Sequence, residues 1–343
     1  MRKPLSFALT AVCIAVSGAA AAQDLYLAAY GGSTETLFKE KIIPEFEKQT
    51  GARVTYVAGN STDTLAKLQA ERNNPQFDVI IVDDAPMQQA VQFGFCADFQ
   101  PAPIYDDLYP LARIADTKAL ALGVIGTGLF YNTEYFAKKN WPAPTSWEDL
   151  TDEKYKDKLV IPPITNGYGL HTLIKFAELR GGSVNDIEPG FKAMIDEVGP
   201  NVLAWEPSPG KMTELFQNGD GVIGVWGSGR VQALKDTGFP VEFVYPKEGA
   251  LALFTAVCTV QKAEIKELSH KFMQYLYTPE VQAILADGQA WGPMNSKVEL
   301  APEVAAKVPY GPEQIGKLQS IDNAVVNANR ADWTNRWNRT VER

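Results

Sequence analysis

The 343-residue chain has little of what most catalytic and metal sites are built from: two histidines and three cysteines. Neither His171 nor His270, which reads as lying on the polar side of an amphipathic helix marked by Ile265, Leu268, Phe272, Tyr275 and Leu276, has a second histidine, a cysteine or a spaced carboxylate at metal-ligand spacing. No nucleophile with a general base can be assembled, and adjacent carboxylates such as Asp83-Asp84 usually point apart. The expectation is a protein with no metal, no cofactor and no catalytic residues. Repeats, low-complexity stretches and long linkers are also missing, which argues against a structural or adhesive protein. Apart from the N-terminus there is no long apolar run, so no direct membrane insertion is expected. With 41 acidic against 32 basic residues, the chain is a poor partner for nucleic acid or anionic membrane surfaces.

The N-terminus has a plain reading. Arg2 and Lys3 precede an apolar core from Leu5 to Val16, and Ala20-Ala21-Ala22 offers a small-residue cleavage site. Residues 1–22 are therefore expected to be a secretory signal peptide, which places the mature protein in the periplasm. Val12 before Cys13 does not suit a lipid-anchored alternative. Cys13 leaves with the signal, so Cys96 and Cys258 remain. The compartment permits a bridge between them, and two buried thiols fit their apolar settings equally well.

From Asp24 the chain alternates. Asp24–Tyr30 reads as a strand and Gly31-Gly32-Ser33-Thr34 as a turn. Glu35–Gln49 reads as a helix with Leu37, Phe38, Ile42 and Phe46 inward, Ser33 or Thr34 as its cap and Gly51 as its stop. Arg53–Val57 is a second strand, Ser61–Arg72 a second helix, and Phe77–Val82 a near-continuous apolar strand of the kind buried on both faces. That rhythm predicts an open α/β sheet, in which ligands bind beyond the carboxyl ends of the strands. Both Tyr30–Thr34 and Asp83-Asp84 lie at that end. Ala119–Ile125 and Thr127–Tyr131, with Gly126 between, read as the first crossing between two lobes. Leu251–Val260 reads as the return. Trp333 and Trp337, four apart in the tail, read as docking residues.

Five blocks then bear a resemblance in order. Pro144-Thr145-Ser146-Trp147-Glu148-Asp149-Leu150 with Tyr155–Leu159, Lys48–Val54, Gly219–Trp226, Pro246-Lys247-Glu248-Gly249, and Leu276–Val281 with Trp291–Asn295 resemble bacterial extracellular solute-binding proteins of ABC importers. They are most similar to the spermidine/putrescine-binding branch. The resemblance implies a two-lobed periplasmic-binding-protein fold of type II, each lobe an open α/β sheet, with discontinuous domains joined by crossing strands. Residues 23–125 with 252–300 would form lobe 1, and 126–251 with 301–343 lobe 2. It implies a monomeric receptor that traps a small-molecule solute and delivers it to an inner-membrane ABC permease.

The expected ligand-binding residues are Tyr30, Gly32, Ser33, Asp83, Asp84, Tyr168, Ser208, Trp226, Arg230, Thr255 and Trp291. Asp83 or Asp84 would face an amine, the alternative for them being helix capping. Trp226 and Trp291 match the family's cleft aromatics, core packing being the alternative for Trp226. Arg230 could hold a carboxylate, or make a salt bridge between the lobes or on the surface. The departures point away from a long polyamine. Leu253 and Thr255 stand where that branch carries tryptophan and aspartate, no carboxylate lies near Thr165–Tyr168, and glycine replaces the tryptophan at the first strand. A smaller solute with one amine and one acid group fits these residue types. The alternatives are a receptor for an organic or inorganic anion or a ferric complex, and an exported enzyme on the same scaffold.

Overall fold

A computed structural model describes residues 24–262 and 265–342. The expected signal segment, residues 1–22, lies outside the described residues. The strands, in chain order, are β1 (Asp24–Tyr30), β2 (Arg53–Gly59), β3 (Val79–Asp83), β4 (Arg113–Ala115), β5 (Ala119–Asn132), β6 (Leu159–Ile161), β7 (Val202–Trp205), β8 (Ile223–Gly227), β9 (Val241–Val244), β10 (Leu251–Thr259) and β11 (Gly292–Pro293).

The pairing order β2-β1-β3-β10-β5-β8-β6-β7 splits at β5. On one side β2, β1 and β3 are parallel and β10 lies antiparallel against β3. On the other side β8, β6 and β7 are parallel. β5 belongs to both. Its residues Leu120–Thr127 pair with β10 and Thr127–Tyr131 pair with β8. Leu120–Tyr131 is thus one continuous strand in place of the two apolar segments read from the sequence. Each side of β5 has its own core. Leu27, Phe38, Phe46, Val124 and Phe272 centre the first, and Phe130, Trp147, Ile161, Phe176 and Phe216 the second. This is the two-lobed α/β fold, with β5 and β10 as crossing strands.

Alternation along β3 explains its unbroken apolar run. Val79 and Ile81 enter the main core of lobe 1, while Ile80 and Val82 enter a smaller core on the opposite face with Leu68, Phe77 and Met87. Cys96 and Cys258 join in that smaller core as a disulfide, which ties the segment after β3 to β10.

Some expectations change. The first helix is interrupted by a wider turn at Phe38–Ile42 before Ile43–Thr50, and Pro44, which has no N–H to donate, opens the second section. Its N-cap is Gly32 with no side-chain bond, and Thr34 donates instead to Gln289 Oε1 at 2.7 Å. His270, read as lying on the polar side of its helix, is buried with Nδ1 unpartnered. The tail helix Asn323–Thr340 docks as expected. Trp333 and Trp337 enter the second core, and Trp337 meets Trp205 edge-on.

Candidate functional site

The carboxyl ends of β1 and β3 bring Tyr30 and Asp83 together. Tyr30 donates its hydroxyl to Asp83 Oδ1 at 2.7 Å, and Ser61 donates to Asp83 Oδ2 at 3.0 Å. Ser61 Oγ also accepts the Asp83 amide at 3.1 Å. Asp83 is the N-cap residue of the helix Asp84–Gln92, yet its side chain caps nothing. Both oxygens are instead oriented by neighbours, and each keeps acceptor capacity for a further donor. Burial, and then the Asp83 charge, hold the Tyr30 hydroxyl well above its ordinary pKa, so it stays a donor. Tyr56 in turn donates to the Tyr30 carbonyl at 2.5 Å. Ser61 was missed in the sequence. It opens the helix after β2, which is the same end of the sheet, and that position was its available signal.

Thr255 sits opposite Asp83 in the β3–β10 register, buried, with its hydroxyl against that of Tyr30. Trp291 stands edge-on to Tyr30 with ring centres 6.2 Å apart, and forms an apolar wall. The wall needs Gly123 beneath it, where an added Cβ would lie 2.7 Å from Trp291 Cβ. Gly32 and Ser33 are exposed at the lip. Gly32 takes φ +70°, a conformation glycine adopts without strain.

The second lobe answers across the cleft. Tyr168 opens the helix Gly167–Leu179, and Arg230 lies in the first turn of Ser228–Asp236, directly after β8. The Tyr168 hydroxyl is raised to about 12 by burial; the adjoining Arg230 guanidinium opposes this and the Asp83 charge adds to it. That phenol therefore lies in the fields of a first-lobe carboxylate and a second-lobe guanidinium. It reaches its place because residue 227 is glycine, since a Cβ there would be 2.3 Å from the Tyr168 oxygen. The lobes touch at the mouth, where a Cβ on Gly229 would be 3.1 Å from Ala290 Cβ. Arg230 is exposed, and among the described residues no carboxylate lies within ion-pair distance of it.

Other expected residues lie apart from this cluster. Asp84 points away from Asp83 and is buried against Asn323 and the backbone amides of Ala85 and Phe254. Trp226 is buried in the second core with its ring 5.5 Å from Phe130, which is a packing environment. Ser208 is exposed and caps the helix Pro209–Gln217 by accepting from Lys211 N. His171 is buried and bonds through Nδ1 to the Thr127 hydroxyl at 2.8 Å. Burial, with Arg330 and Lys175 nearby, lowers it to about 3, so it is neutral. Among the described residues, no three His, Cys, Asp or Glu side chains converge as metal ligands.

Comparison with known proteins bears on the whole arrangement. Residues 41–310 match the family model described as bacterial extracellular solute-binding protein. A Salmonella typhimurium periplasmic protein provisionally named for binding 2-aminoethylphosphonate is 26% identical over 311 residues, covering 87% of this chain and 86% of its own. The spermidine/putrescine-binding periplasmic protein of Escherichia coli is 23% identical over 284 residues, covering 77% of each chain. A crystal structure of an ABC transporter protein from Clostridium perfringens superposes with a TM-score of 0.83 at 24% identity, covering 92% of this chain and 99% of that one.

Proposed function

Since the chain belongs to the bacterial extracellular solute-binding proteins, the receptors of ABC importers rather than enzymes, we propose that its cleft takes a small solute with a primary amine at one end and an acidic group at the other. What supports this reading is placement: Asp83, oriented by Tyr30 and Ser61 at the end of β3, and Arg230, in the first turn of the helix after β8, both lie near the buried Tyr168 hydroxyl. Asp83, oriented by Tyr30 and Ser61, is the amine acceptor. Arg230 takes the acid group, with the exposed Gly32-Ser33 turn as a second donor surface. Tyr168 and Thr255 supply hydroxyls between the two ends, and Trp291 with Tyr30 supplies the apolar wall.

The relatives' names agree on the amine and divide on the rest. One names an aminophosphonate and the other polyamines. A polyamine cage needs several carboxylates, whereas this cluster offers one carboxylate and one cation. We assign the lobes as residues 23–125 with 252–300 and 126–251 with 301–343, of which Ile315 and Leu318 pack onto the first core, acting as a monomer that delivers its solute to an inner-membrane permease.

Isothermal titration of the mature protein tests the reading against 2-aminoethylphosphonate, 4-aminobutyrate, putrescine, spermidine, inorganic phosphate and ferric citrate. Tightest binding by either of the first two is expected. Binding confined to the polyamines would replace the reading with an amine cage. Binding confined to phosphate or ferric citrate would replace it with an anion or ferric-complex receptor.

A further inference from the structure

Asp84 follows the proposed amine acceptor directly, yet its carboxyl is turned to its own helix and to two other elements. It lies against its own helix through the Ala85 amide at 2.8 Å, against crossing strand β10 through the Phe254 amide, and against Asn323 at the start of the tail helix. Four residues further along that helix, Asn327 donates to the Ala85 carbonyl at 3.1 Å. The rest of the tail helix is fixed to lobe 2. Val326, Trp333 and Trp337 are in the second core, Arg330 donates to the Thr165 carbonyl at 3.0 Å, and Arg336 grips Glu188. A single rigid element anchored on one lobe therefore reaches across to the first turn of the helix that begins at the ligand carboxylate of the other.

We propose that Asp84 is a positioning residue: through Asn323 and Asn327 the C-terminal helix, carried by lobe 2, holds the Asp84–Gln92 helix, and with it Asp83, in the arrangement of the closed cleft. This rests on the reading of Asp83 as the amine acceptor.

The contact has a pH sign. Burial, with the adjacent Asp83 charge adding to it, raises the Asp84 carboxyl to about 7. The groups facing it from the tail helix and from β10 are uncharged: the Asn323 amide and a backbone N–H. When the helices part, the carboxyl is solvated and returns to its ordinary value near 4. Between about 4 and about 7 the parted state releases a proton that the joined state keeps. The joined state therefore loses favour as pH rises through that window and is level above it.

Hydrogen exchange of the ligand-free mature protein, read by mass spectrometry and corrected for intrinsic rates between pH 4.5 and 8, tests this without any solute. Failure of the ligand reading would therefore leave the result intact. In the wild type, opening of the 84–92 segment should rise tenfold or more up to about pH 7 and then level. Asp84→Asn, which keeps the shape and cannot ionise, should stay near the low-pH level throughout. Asn323→Ala should exchange at least tenfold faster at pH 5, while β2 is unchanged. A shared pH profile for wild type and Asp84→Asn, or wild-type exchange in Asn323→Ala, would overturn the proposal. So would a rise that spreads equally to β2, which would mark general destabilisation. Should the Asp84 variant not fold, Asn323→Ala and Asn327→Ala carry the same test, Asn327 being only partly buried.

Discussion

Replacing Asp83 by asparagine removes a charge while leaving its cradle in place. The amide oxygen can accept from Tyr30 at the position of Oδ1, and the amide nitrogen can donate to Ser61, whose hydroxyl also accepts the backbone N–H of residue 83. The fold should therefore be retained, with a melting temperature close to that of the wild type. What is lost is the charge of a half-buried acceptor facing an ammonium group. A hydrogen bond to a charged partner is worth about 1.5–3 kcal/mol, which corresponds to roughly a ten- to hundredfold rise in Kd.

Arg230 supplies the contrast. It is exposed, so water and salt screen it, and an exposed charge pair contributes about 0.2–1 kcal/mol. Arg230→Gln should then weaken 2-aminoethylphosphonate about two- to fivefold, less so at high salt, and leave putrescine unchanged or slightly tighter. Titration calorimetry of both variants with both solutes gives four numbers, and their pattern decides the matter. If Asp83→Asn left both solutes within threefold of wild type, the amine would not be recognised at Asp83 and the reasoning would fail. If Arg230→Gln weakened putrescine as much as the phosphonate, Arg230 would be acting on the fold rather than on the acid group.

Two further outcomes follow from packing. The Cys96–Cys258 disulfide links residues 162 apart, and bridges over long loops contribute about 2–5 kcal/mol. A Cys96→Ala/Cys258→Ala variant should lose that much in urea unfolding, and a loss below about 1 kcal/mol would show that the bridge stabilises little. Both cysteines are buried, so reductant should act only once the protein unfolds. Gly227→Ala places a methyl where the Tyr168 oxygen now sits, and such overpacking costs about 1–3 kcal/mol. In a Tyr168→Phe background the same substitution should cost markedly less, because the clashing atom is gone. Equal costs in the two backgrounds, measured in urea, would place the strain elsewhere.

The β-strand framework was legible because burial on both faces leaves an unambiguous mark. Val79–Val82 is apolar at every position, and a run that short and β-branched, following strand–helix–strand–helix, fits a strand packed above and below. The pairing of Tyr30 with Asp83 was half legible. Both were placed at the ligand end of the sheet by the order of elements, but which of Asp83 and Asp84 faces the cleft depends on the pleat and on Ser61, a small polar residue without a local pattern. The reading of Trp226 rested on its place at the end of a strand and on its match to the family's cleft tryptophan. A tryptophan can fill a core or line a cleft, and its contact with Phe130 comes from a strand that is distant in sequence. His270 misled for a related reason: helical periodicity assigns a face, but cannot tell which other elements cover it. Trp333 and Trp337 were easier, because two large apolar rings on a polar helix need a partner surface.

That same helix shows what local patterns leave out. Asn323 and Asn327 look like ordinary polar positions, yet they meet Asp84 and Ala85 in the other lobe. A receptor closes only to the extent that its solute and its own contacts favour the closed state over the open one. If Asp83 and Arg230 both serve the solute, a molecule carrying amine and acid gains its second contact only on closure. A diamine of the same length meets repulsion there instead. The tail helix adds a contact that exists in the closed state whatever the solute. The closed population of the free protein then depends on Asn323, while discrimination between solutes depends on Arg230. A substitution in the tail should therefore shift affinity for all solutes by one common factor, without changing their order.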